Sequence, residues 1–335
     1  MIETISRDRL IELLDAGTQQ RVAIIGDAML DVYLRGDVDR ISPEAPVPVV
    51  RVRDKELALG GAANVAHNVA AIGAQCTLVC AVGEDAEGQV VKEMLRDIGA
   101  ASRSIVTVQR RTTTKTRILA RSQQIVRFDE EEDADIKGVE VERLLAAAID
   151  AIDAADALVL EDYNKGVLTP ALITPLMQHA KSREMPIVVD PKYKNFFAYT
   201  GATIFKPNRR ELESALGAAV DLEHVEALPE ALRRLGVDYL LLTLGEAGMA
   251  LIAADGEVGR VPTTAHEVYD VVGAGDTVTA YLATMLAGGA TPAEAAVIAN
   301  FAAGVEVAKL GAATVSTDEV VEAYDLFGAA GAPTA

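Results

Sequence analysis

Two carboxylates and two glycines lie close together in the segment Asp270-Val-Val-Gly-Ala-Gly-Asp276, and an apolar run that predicts a buried helix follows at once. Gly273 and Gly275 have no Cβ, so the backbone can turn sharply there and approach a ligand closely. The first amides of a helix lack intrahelical partners, and the helix dipole favours negative charge beside them. The segment therefore predicts a phosphate-binding turn in which Asp276 accepts a proton from a hydroxyl that attacks a phosphoryl group. The alternative is that Asp276 only caps a helix after a glycine-rich turn.

Short, continuous runs of Val, Ile and Leu alternate with helical segments along much of the chain. This alternation predicts an α/β fold: a doubly wound, mostly parallel sheet with helices on both faces. Ligands of such sheets bind beyond the carboxyl ends of the strands. Polar residues follow apolar strands at five places: Asp27, Glu161-Asp162, Asp190-Pro-Lys192, Lys206-Pro-Asn208 and Thr243-Leu-Gly245.

Two stretches have a different character, residues 33–53 and 105–128. The first contains three prolines, which argue against a central strand, and the second is β-prone and rich in basic side chains. We expect both to form antiparallel strands of a small second sheet. The prediction is a single domain over residues 1–329 that contains these two segments, followed by a flexible tail of small residues at 330–335.

Composition limits the classes of partner. The 335 residues carry a formal net charge of −19, which argues against nucleic acid or an anionic membrane as the main partner. The N-terminus is not a signal peptide, and no apolar run reaches the ~18 residues of a membrane span. Cys76 and Cys80 are expected to be reduced thiols in a cytoplasmic protein.

Several common motifs are missing from the sequence. It contains no Gly-x-x-x-x-Gly-Lys-Ser/Thr, no Gly-x-Gly-x-x-Gly after the first strand and no Gly-x-Ser-x-Gly. Their absence argues against a P-loop NTPase, a nicotinamide-dependent dehydrogenase and a serine hydrolase of the nucleophile-elbow type.

Four motifs in one order resemble those of the ribokinase-like carbohydrate kinases, the PfkB family, over nearly the whole chain. They are Gly60-Gly-Ala-Ala-Asn64, Asn208-Arg-Arg-Glu211, Thr243-Leu-Gly-Glu-Ala-Gly248 and Asp270-Val-Val-Gly-Ala-Gly-Asp276. The resemblance implies a ribokinase-like α/β fold with a β-sheet lid, ATP and Mg²⁺ as cofactors, and a sugar as substrate.

A narrower resemblance is to the members of this family that phosphorylate D-glycero-β-D-manno-heptose 7-phosphate. It implies ATP-dependent phosphorylation of the anomeric hydroxyl to the 1,7-bisphosphate, on the route to ADP-heptose and lipopolysaccharide. We expect the stand-alone form, without the nucleotidyltransferase domain that some relatives carry. The segments that carry this resemblance are Gly26-Asp-Ala-Met-Leu-Asp31, Arg40-Ile-Ser-Pro-Glu-Ala-Pro-Val-Pro-Val49, Asp162-Tyr-Asn-Lys-Gly166 and Asp190-Pro-Lys192.

The resemblance implies roles at the nucleotide side. Asp276 is expected to be the general base, with Gly273, Ala274 and Gly275 supplying amides to the transferred phosphoryl group. Mg²⁺ and the ATP phosphates are expected near Asn208 and Glu211, through water. Without the family, Glu211 would be an ordinary solvated residue of a first helical turn. The remaining nucleotide-binding residues implied are Thr243, Gly245, Gly248, Asn300 and Ala303, and Asp270 is expected to be structural or to bind a monovalent cation such as K⁺.

The resemblance also implies a sugar side. Its predicted residues are Asp27, Asp31, Gly60, Gly61, Asn64, Lys165, Asp190, Lys192 and Arg117. An ordinary loop carboxylate is an equal alternative for Asp31. Lys192 is the first choice to bind the 7-phosphate; Lys165, Arg40, Arg111 and Arg117 are weaker candidates, because a β-rich flap usually carries solvated basic residues.

The small sheet is expected to close over the sugar and exclude water, and to form the interface of a homodimer. Two other functions stay open at this point: a kinase of another sugar or of a nucleoside, and a non-catalytic regulator that binds a nucleotide or a sugar.

Overall fold

The structure is a computed structural model, described here for residues 5–100, 104–121, 123–220, 228–265 and 268–327. The predicted tail at 330–335 and the first residues of the predicted helix 223–235 lie outside this part. The elements in chain order are α1 Arg7–Thr18, β1 Arg21–Gly26, β2 Ala28–Ile41, β3 Pro48–Gly61, α2 Ala62–Ile72, β4 Gln75–Gly83, α3 Ala86–Asp97, β5 Ile105–Val108, β6 Thr114–Ala120, β7 Gln123–Glu130, α4 Val139–Asp153, β8 Ala157–Glu161, α5 Pro170–Ser182, β9 Ile187–Asp190, β10 Ile204–Phe205, α6 Arg209–Leu216, α7 Leu228–Leu235, β11 Tyr239–Thr243, β12 Met249–Ala253, β13 Val258–Val261, α8 Ala274–Ala287, α9 Pro292–Glu306 and α10 Thr317–Phe327.

The main sheet has the strand order β13-β12-β11-β10-β9-β8-β1-β4-β5. Its pairs are parallel from β5 to β11, and only β12 and β13 are antiparallel. Neighbouring side chains of β1 point into two different apolar clusters: Val22 and Ile24 into one, Ala23 and Ile25 into the other. The sheet is therefore buried on both faces, as the continuous apolar strands predict.

A second sheet has the order β3-β2-β6-β7, and we call it the lid sheet. Its pairs β2–β3 and β6–β7 are antiparallel, but β2 and β6 run parallel, so the prediction of antiparallel pairing holds for two of the three pairs. The strands at its N-terminal end are also longer than the predicted 33–53, since they reach from Ala28 to Gly61.

The prediction that the lid includes residues from 105 onward is wrong for β5. This strand pairs in parallel with β4 at the edge of the main sheet, from Cys80–Ile105 to Gly83–Val108. The reason is its apolar side chains, because Val106 and Val108 pack into one of the two clusters that cover the main sheet. The downstream part of the lid sheet thus begins at Thr114.

The lid sheet grows directly out of the main sheet. Only Asp27 separates β1 from β2, and β3 leads without a gap into α2. At this junction Gly61 has a φ of 58°, and a Cβ there would lie 2.5 Å from the carbonyl oxygen of Asp27. A glycine is needed because the chain turns in the left-handed region against a neighbouring backbone. The base of the lid therefore sits at the carboxyl end of β1, where ligands of parallel sheets bind.

Helix α8 is buried along nearly its whole length and packs against α2 and α9. Two of its buried polar side chains, Thr279 and Thr284, bond to carbonyl oxygens one turn back, and the hydroxyl of Tyr281 donates to the carbonyl of Val315. These buried polar side chains are thus satisfied, so the helix can run through the core and bring Asp276 to the sheet edge. Among the described residues, no helix combines the length and the apolar character that crossing a membrane requires.

Candidate active site

Asp276 lies in the first turn of α8 and is 4% exposed. Each of its carboxylate oxygens accepts one hydrogen bond: Nδ2 of Asn64 donates over 2.7 Å and the hydroxyl of Tyr163 over 2.8 Å. Burial raises the pKa of Asp276 to about 6, although these two donors act in the opposite direction. A carboxylate with this pKa is ionised at neutral pH and basic enough to accept a proton.

The turn before Asp276 has the geometry of an anion site. Gly273 caps α8 with a φ of 100°, and residues 273–275 are only half-buried. A Cβ on Gly273 would lie 3.1 Å from both Asn64 Nδ2 and Glu306 Oε1, so a side chain there would press on its neighbours. The first amides of a helix lack intrahelical acceptors, so the predicted role of Gly273, Ala274 and Gly275 in binding a phosphoryl group stays a prediction.

A buried ammonium lies beside the same turn. Nζ of Lys206 donates to Asp190 over 2.8 Å, and both side chains are buried. A Cβ on Gly275 would be 3.6 Å from this Nζ. Lys206 and Tyr163 belong to the site although no role was predicted for them from the sequence; the signal for Lys206 was its position directly after a predicted strand. Together with the helix amides, Lys206 offers positive charge where a phosphoryl group would sit.

Lys192 lies beside Glu211, a residue predicted to bind Mg²⁺ and ATP. Its Nζ forms an ion pair with Glu211 and lies 5.1 Å from the ring centre of Tyr163. Burial opposes the charge, but the carboxylates of Asp190 and Glu211 raise the pKa of Lys192 above its usual value. The structure thus joins the residue predicted for the sugar phosphate to one predicted for Mg²⁺ and ATP.

Asn208 and Glu211 form a capping box at the start of α6. The amide of Glu211 donates to Oδ1 of Asn208 over 2.9 Å, and the amide of Asn208 donates to Oε2 of Glu211 over 2.8 Å. These bonds satisfy two helix amides that would otherwise lack acceptors. Both side chains thus have a structural use, and their predicted part in binding Mg²⁺ and ATP stays a prediction.

The other predicted nucleotide residues lie near one another. Thr243 ends β11 and forms an isolated bridge with Asn208. Asn300 is buried in α9, and its Nδ2 donates to the carbonyl of Pro262 over 2.8 Å, so it fixes the segment that follows β13. Gly245 and Gly248 have φ values of 61° and 82°, and Ala303 is half-buried on α9.

Asp27 is tied to the backbone of a loop. Its carboxylate accepts hydrogen bonds from the amides of Tyr163, Lys165 and Val167, at 2.9–3.1 Å. Burial raises the pKa of Asp27, and these three amides offset that effect. The geometry therefore gives Asp27 the task of fixing the loop that carries Tyr163, and its predicted contact with a sugar hydroxyl stays a prediction.

Asp31 faces the base of the lid sheet. Nη1 of Arg117 donates to Asp31 over 2.6 Å in a buried ion pair, and a Cβ on Gly60 would lie 2.7 Å from Oδ2 of Asp31. Arg117 also lies over the ring of Tyr33 at 5.2 Å. Its charge is therefore neutralised within the protein, which makes it a weaker phosphate ligand than predicted.

Among the other basic candidates, Arg111 pairs with Glu130 at 2.6 Å, and Arg40 lies exposed on β2. Lys165 pairs with Glu131 at 2.9 Å but is mostly buried. Lys115, which the sequence analysis did not select, lies on β6 opposite Asp31, and its Nζ is 5.5 Å from the ring centre of Tyr163. A lysine inside an alternating strand gives no sequence signal that separates it from a solvated one.

Two more buried acids belong to the surroundings of Asp276. Glu161 and Glu306 are both 0% exposed, and neither carboxyl has a hydrogen-bond partner among the described residues. Burial raises the pKa of Glu306 to about 9 and that of Glu161 well above its usual value. Asp270 accepts amide hydrogen bonds from Val272 and Gly311, which fits the structural role predicted for it.

Comparison with known proteins shows the family of the chain. The sequence pattern of the pfkB family carbohydrate kinases matches residues 19–319. The chain belongs to this family, and it is a carbohydrate kinase.

Curated relatives give a narrower likeness. The chain is 44% identical to the bifunctional protein HldE of Rhodospirillum rubrum over 318 residues, which are 94% of this chain and 64% of that protein. It is 45% identical to the HldE of Pelobacter propionicus over 90% of this chain and 63% of that protein. The chain thus spans somewhat less than two thirds of the length of these relatives.

Solved structures share the fold. Ribokinase of Arabidopsis thaliana with ribose and ATP superposes with a TM-score of 0.72 at 20% identity, covering 91% of this chain and 98% of that one. Phosphofructokinase-2 of Escherichia coli with potassium gives 0.76 at 20% identity, covering 92% and 100%. These likenesses confirm the predicted ribokinase-like α/β fold.

The hydrogen bond from Tyr163 to Asp276 yields a prediction on pH. Because the hydroxyl stabilises the ionised carboxylate, Tyr163→Phe is expected to raise the pKa of Asp276 above about 6. Catalysis needs the ionised base, so kcat/KM falls by about tenfold per pH unit below that pKa. The acid limb of the pH profile should therefore move to higher pH, measured as ADP release between about pH 5 and 9.

A matched control is Tyr199→Phe, which removes another buried tyrosine hydroxyl that donates to a carboxylate, Asp162, over 2.7 Å. This variant should keep the midpoint of the wild type. An unmoved acid limb in Tyr163→Phe, or an equal shift in both variants, would contradict the role given to Tyr163.

Proposed function

We propose that this protein transfers the γ-phosphoryl group of ATP to the anomeric hydroxyl of D-glycero-β-D-manno-heptose 7-phosphate, making the 1,7-bisphosphate for ADP-heptose and lipopolysaccharide. The observation that carries the transfer step is Asp276, a buried carboxylate with a pKa near 6 at the positive end of α8. The likeness to the HldE proteins and the segments around Asp31, Asn164 and Asp190 support the heptose phosphate as substrate.

The proposed step needs three contributions from the chain. Asp276 takes the proton of the anomeric hydroxyl while that oxygen attacks the γ-phosphorus, and ADP leaves with the electron pair of the broken bond. The amides of Gly273 to Gly275 and the ammonium of Lys206 face the charge on the transferred oxygens. The burial of Asp276 limits the access of water that would compete as the nucleophile.

Mg²⁺ fits the nucleotide side of the cleft. Glu211 is a half-buried carboxylate whose neighbour Lys192 suits a triphosphate oxygen, and carboxylate oxygens are ligands that Mg²⁺ prefers. Glu211 and Asn208 would hold the ion through water, and the ion would neutralise charge on the β- and γ-phosphates. Lys192 is accordingly assigned to the phosphates of ATP, and not to the sugar phosphate. Binding of K⁺ at the loop of Asp270 remains a proposal.

The 7-phosphate is assigned to Lys115 and Lys165. Lys115 is half-buried, and burial lowers its pKa, as does the charge of Lys165 nearby. Lys165, which also pairs with Glu131, acts on Lys115 through its charge, and an anion bound by both ammonium groups would offset that repulsion. Lys115 also lies beside the ring of Tyr163, whose hydroxyl bonds to Asp276. A phosphorylated sugar thus fits better than an unphosphorylated one.

The lid sheet also suits a homodimer. Several apolar side chains on its strands and on the β2–β3 connection are exposed, at 36–61%: Val38, Ile41, Val47, Val52, Ile125, Val126 and Phe128. Apolar side chains grouped on one small sheet are typical of a protein–protein interface. We therefore assign the interface between two copies of the chain to this sheet.

The function is tested by ADP release with Mg-ATP and four acceptors: the heptose 7-phosphate, the unphosphorylated heptose, fructose 6-phosphate and ribose. Strong turnover is expected only with the heptose 7-phosphate. The matched control is Asp276→Asn, which should keep ATP and sugar binding but lose turnover by a factor of ~10² or more, as general-base contributions suggest. Turnover with another sugar would keep the kinase and discard the heptose assignment, whereas none with any acceptor, despite ATP binding, would favour a regulator.

Substitution of Lys115 and of Lys192, the two lysines beside Tyr163, is expected to change the KM for different substrates. Lys115→Ala is expected to raise the KM for the sugar phosphate by ~10-fold or more, with little change for ATP, because a charge-assisted phosphate contact is worth about 1.5–3 kcal/mol. Lys192→Ala should raise the KM for ATP instead. Arg111→Ala, which removes a surface arginine of the neighbouring segment, should change neither. Equal effects of Lys115→Ala on both substrates would contradict the assignment.

If the lid sheet forms the dimer interface, a charged residue placed on it should lower the molecular mass of the protein in solution. Phe128→Asp places a charge on the lid sheet and is expected to convert a dimer into a monomer, as measured by analytical ultracentrifugation. Leu326→Asp is the control, since Leu326 is equally apolar and 71% exposed but lies on α10, away from the lid sheet. A wild-type monomer, or a dimer that survives Phe128→Asp, would contradict the interface.

A further inference from the structure

A closed ring of buried polar side chains joins helices α2 and α8 behind the carboxylate of Asp276. The hydroxyl of Thr277 donates to Oδ1 of Asn68 over 3.1 Å, and Nδ2 of Asn68 donates to the main-chain carbonyl of Asn64 over 3.0 Å. Nδ2 of Asn64 in turn donates to Asp276 over 2.7 Å, and Asp276 precedes Thr277 on α8, which closes the ring. Asn64, Asn68 and Thr277 are all 0% exposed, so the ring lies within the protein core.

The side-chain amide of Asn64 has two ends of nearly the same size, so packing alone does not decide which end faces the base. The nitrogen can donate a hydrogen bond to the carboxylate of Asp276, whereas the oxygen in the same place could only repel it. The orientation of this one amide therefore decides whether its interaction with Asp276 is attractive or repulsive.

Asn68 fixes that orientation through an acceptor that cannot be reversed. A main-chain carbonyl only accepts, so the bond to the carbonyl of Asn64 directs the nitrogen of Asn68, and not its oxygen, toward Asn64. The same nitrogen lies 3.4 Å from Oδ1 of Asn64, a long contact that still favours an oxygen over a nitrogen at this place. With Oδ1 directed toward Asn68, the nitrogen of Asn64 is left to face Asp276.

Thr277 holds the opposite side of Asn68. Its hydroxyl donates to Oδ1 of Asn68, the end of the amide that points away from Asn64. A buried oxygen without a donor is costly, so Asn68 is expected to turn or move when this hydroxyl is removed. The hydroxyl of Thr277 therefore stabilises the one position of Asn68 that keeps the Asn64 amide in place.

We propose that Asn68 and Thr277 are positioning residues for phosphoryl transfer, which hold the Asn64 amide with its nitrogen toward Asp276 without touching either substrate. The inference rests on the proposed role of Asp276 as the general base. A donor directed at a carboxylate favours its ionised form. When the amide is displaced, a larger fraction of Asp276 is therefore protonated at a given pH and unable to accept the proton of the sugar.

Other titratable groups also act on Asp276, and substitution of Asn68 or Thr277 removes none of them. They are Glu161 at the end of β8, Tyr163 in the loop that follows, Asp190 at the end of β9, Lys206 after β10 and Glu306 in α9. Asn68 and Thr277 carry no charge themselves. A change in the pH dependence of their variants would therefore report on the Asn64 amide and not on a lost charge.

The substitution Thr277→Val tests the proposal with little change of shape. The acid limb of kcat/KM is expected to move to higher pH by about half a pH unit or more, because the hydrogen bond from Asn64 to the ionised base is weakened. Asn68→Ala should move it in the same direction, and Thr277→Ser, which keeps the hydroxyl, should retain the wild-type midpoint. A purely structural role would lower the amount of active enzyme and leave the midpoint where it is.

The matched control is Thr284→Val. It removes another buried threonine hydroxyl of α8, one that donates to the carbonyl of Ala280 and has no part in the ring. This variant should retain the midpoint of the wild type.

A second measurement needs neither substrate, so it separates this proposal from the proposed function. With asparagine labelled by ¹⁵N, the side-chain amide signal of Asn64 in an NMR spectrum is identified by its loss in Asn64→Asp. The amide protons of Asn64 should exchange with water at least ~10-fold faster in Thr277→Val and Asn68→Ala than in the wild type or Thr284→Val, since the ring that protects them is opened.

The proposal is overturned if Thr277→Val keeps the wild-type midpoint, if it keeps the slow exchange of the Asn64 amide, or if Thr284→Val changes either quantity as much. A wild type without turnover on any acceptor would contradict the proposed function instead. The exchange rates would then still decide whether Asn68 and Thr277 hold the Asn64 amide.

Discussion

The desolvation of Asp276 is the constraint on which the rest of the site depends. A carboxylate that is only 4% exposed loses its hydration, which disfavours the charged form that a general base needs. Three different elements supply compensation: α2 gives the amide of Asn64, the loop after β8 gives the hydroxyl of Tyr163, and α8 adds its own N-terminal dipole. The pKa of Asp276 is therefore near 6, which is higher than that of an exposed carboxyl group and lower than that of a buried carboxyl group that stays protonated. Asp276 therefore has a pKa suited to a general base only when α2, the loop after β8 and α8 are all correctly placed.

The loop that carries Tyr163 connects the base to the lid sheet. Its backbone is held by Asp27, which lies between the first strand of the main sheet and the first strand of the lid. Lys115 from the lid sheet and Lys192 both lie over the ring of Tyr163. A single tyrosine thus contacts the proposed general base, Asp276, and the two lysines proposed to bind phosphate groups. Movement of the lid would change the surroundings of the base through this ring, with no need for a longer path.

The sequence alone was informative where a local pattern decides the structure. Continuous apolar strands, glycine-rich turns and the order of the motifs predicted the parallel sheet and the position of Asp276. The sequence was less informative where the structure depends on contacts between segments that are far apart in the chain. The strand at Ile105–Val108 stands next to the basic, β-prone segment in the sequence, but it pairs with β4 because its apolar side chains pack into a cluster on the main sheet. In the same way, the pairing of Lys192 with Glu211 and of Arg117 with Asp31 joins residues far apart in sequence, so their charges could not be assigned to ligands or to partners beforehand.

The burial of several carboxyl groups around Asp276 is better explained by a function of these groups than by a contribution to the stability of the fold. An apolar side chain at the position of Glu161 would avoid the cost of an unpaired buried carboxyl, about 1–3 kcal/mol or more for a charged group. The same reasoning applies to Lys206, because a buried ion pair is often no more stabilising than an apolar pair of similar volume. Buried charges that destabilise a protein core are typical of functional sites, where a charged ligand can neutralise them. The edge of the sheet where β8, β9 and β10 end carries both signs of charge at close range, which suits a reaction in which a proton, a phosphoryl group and a cation must be held together.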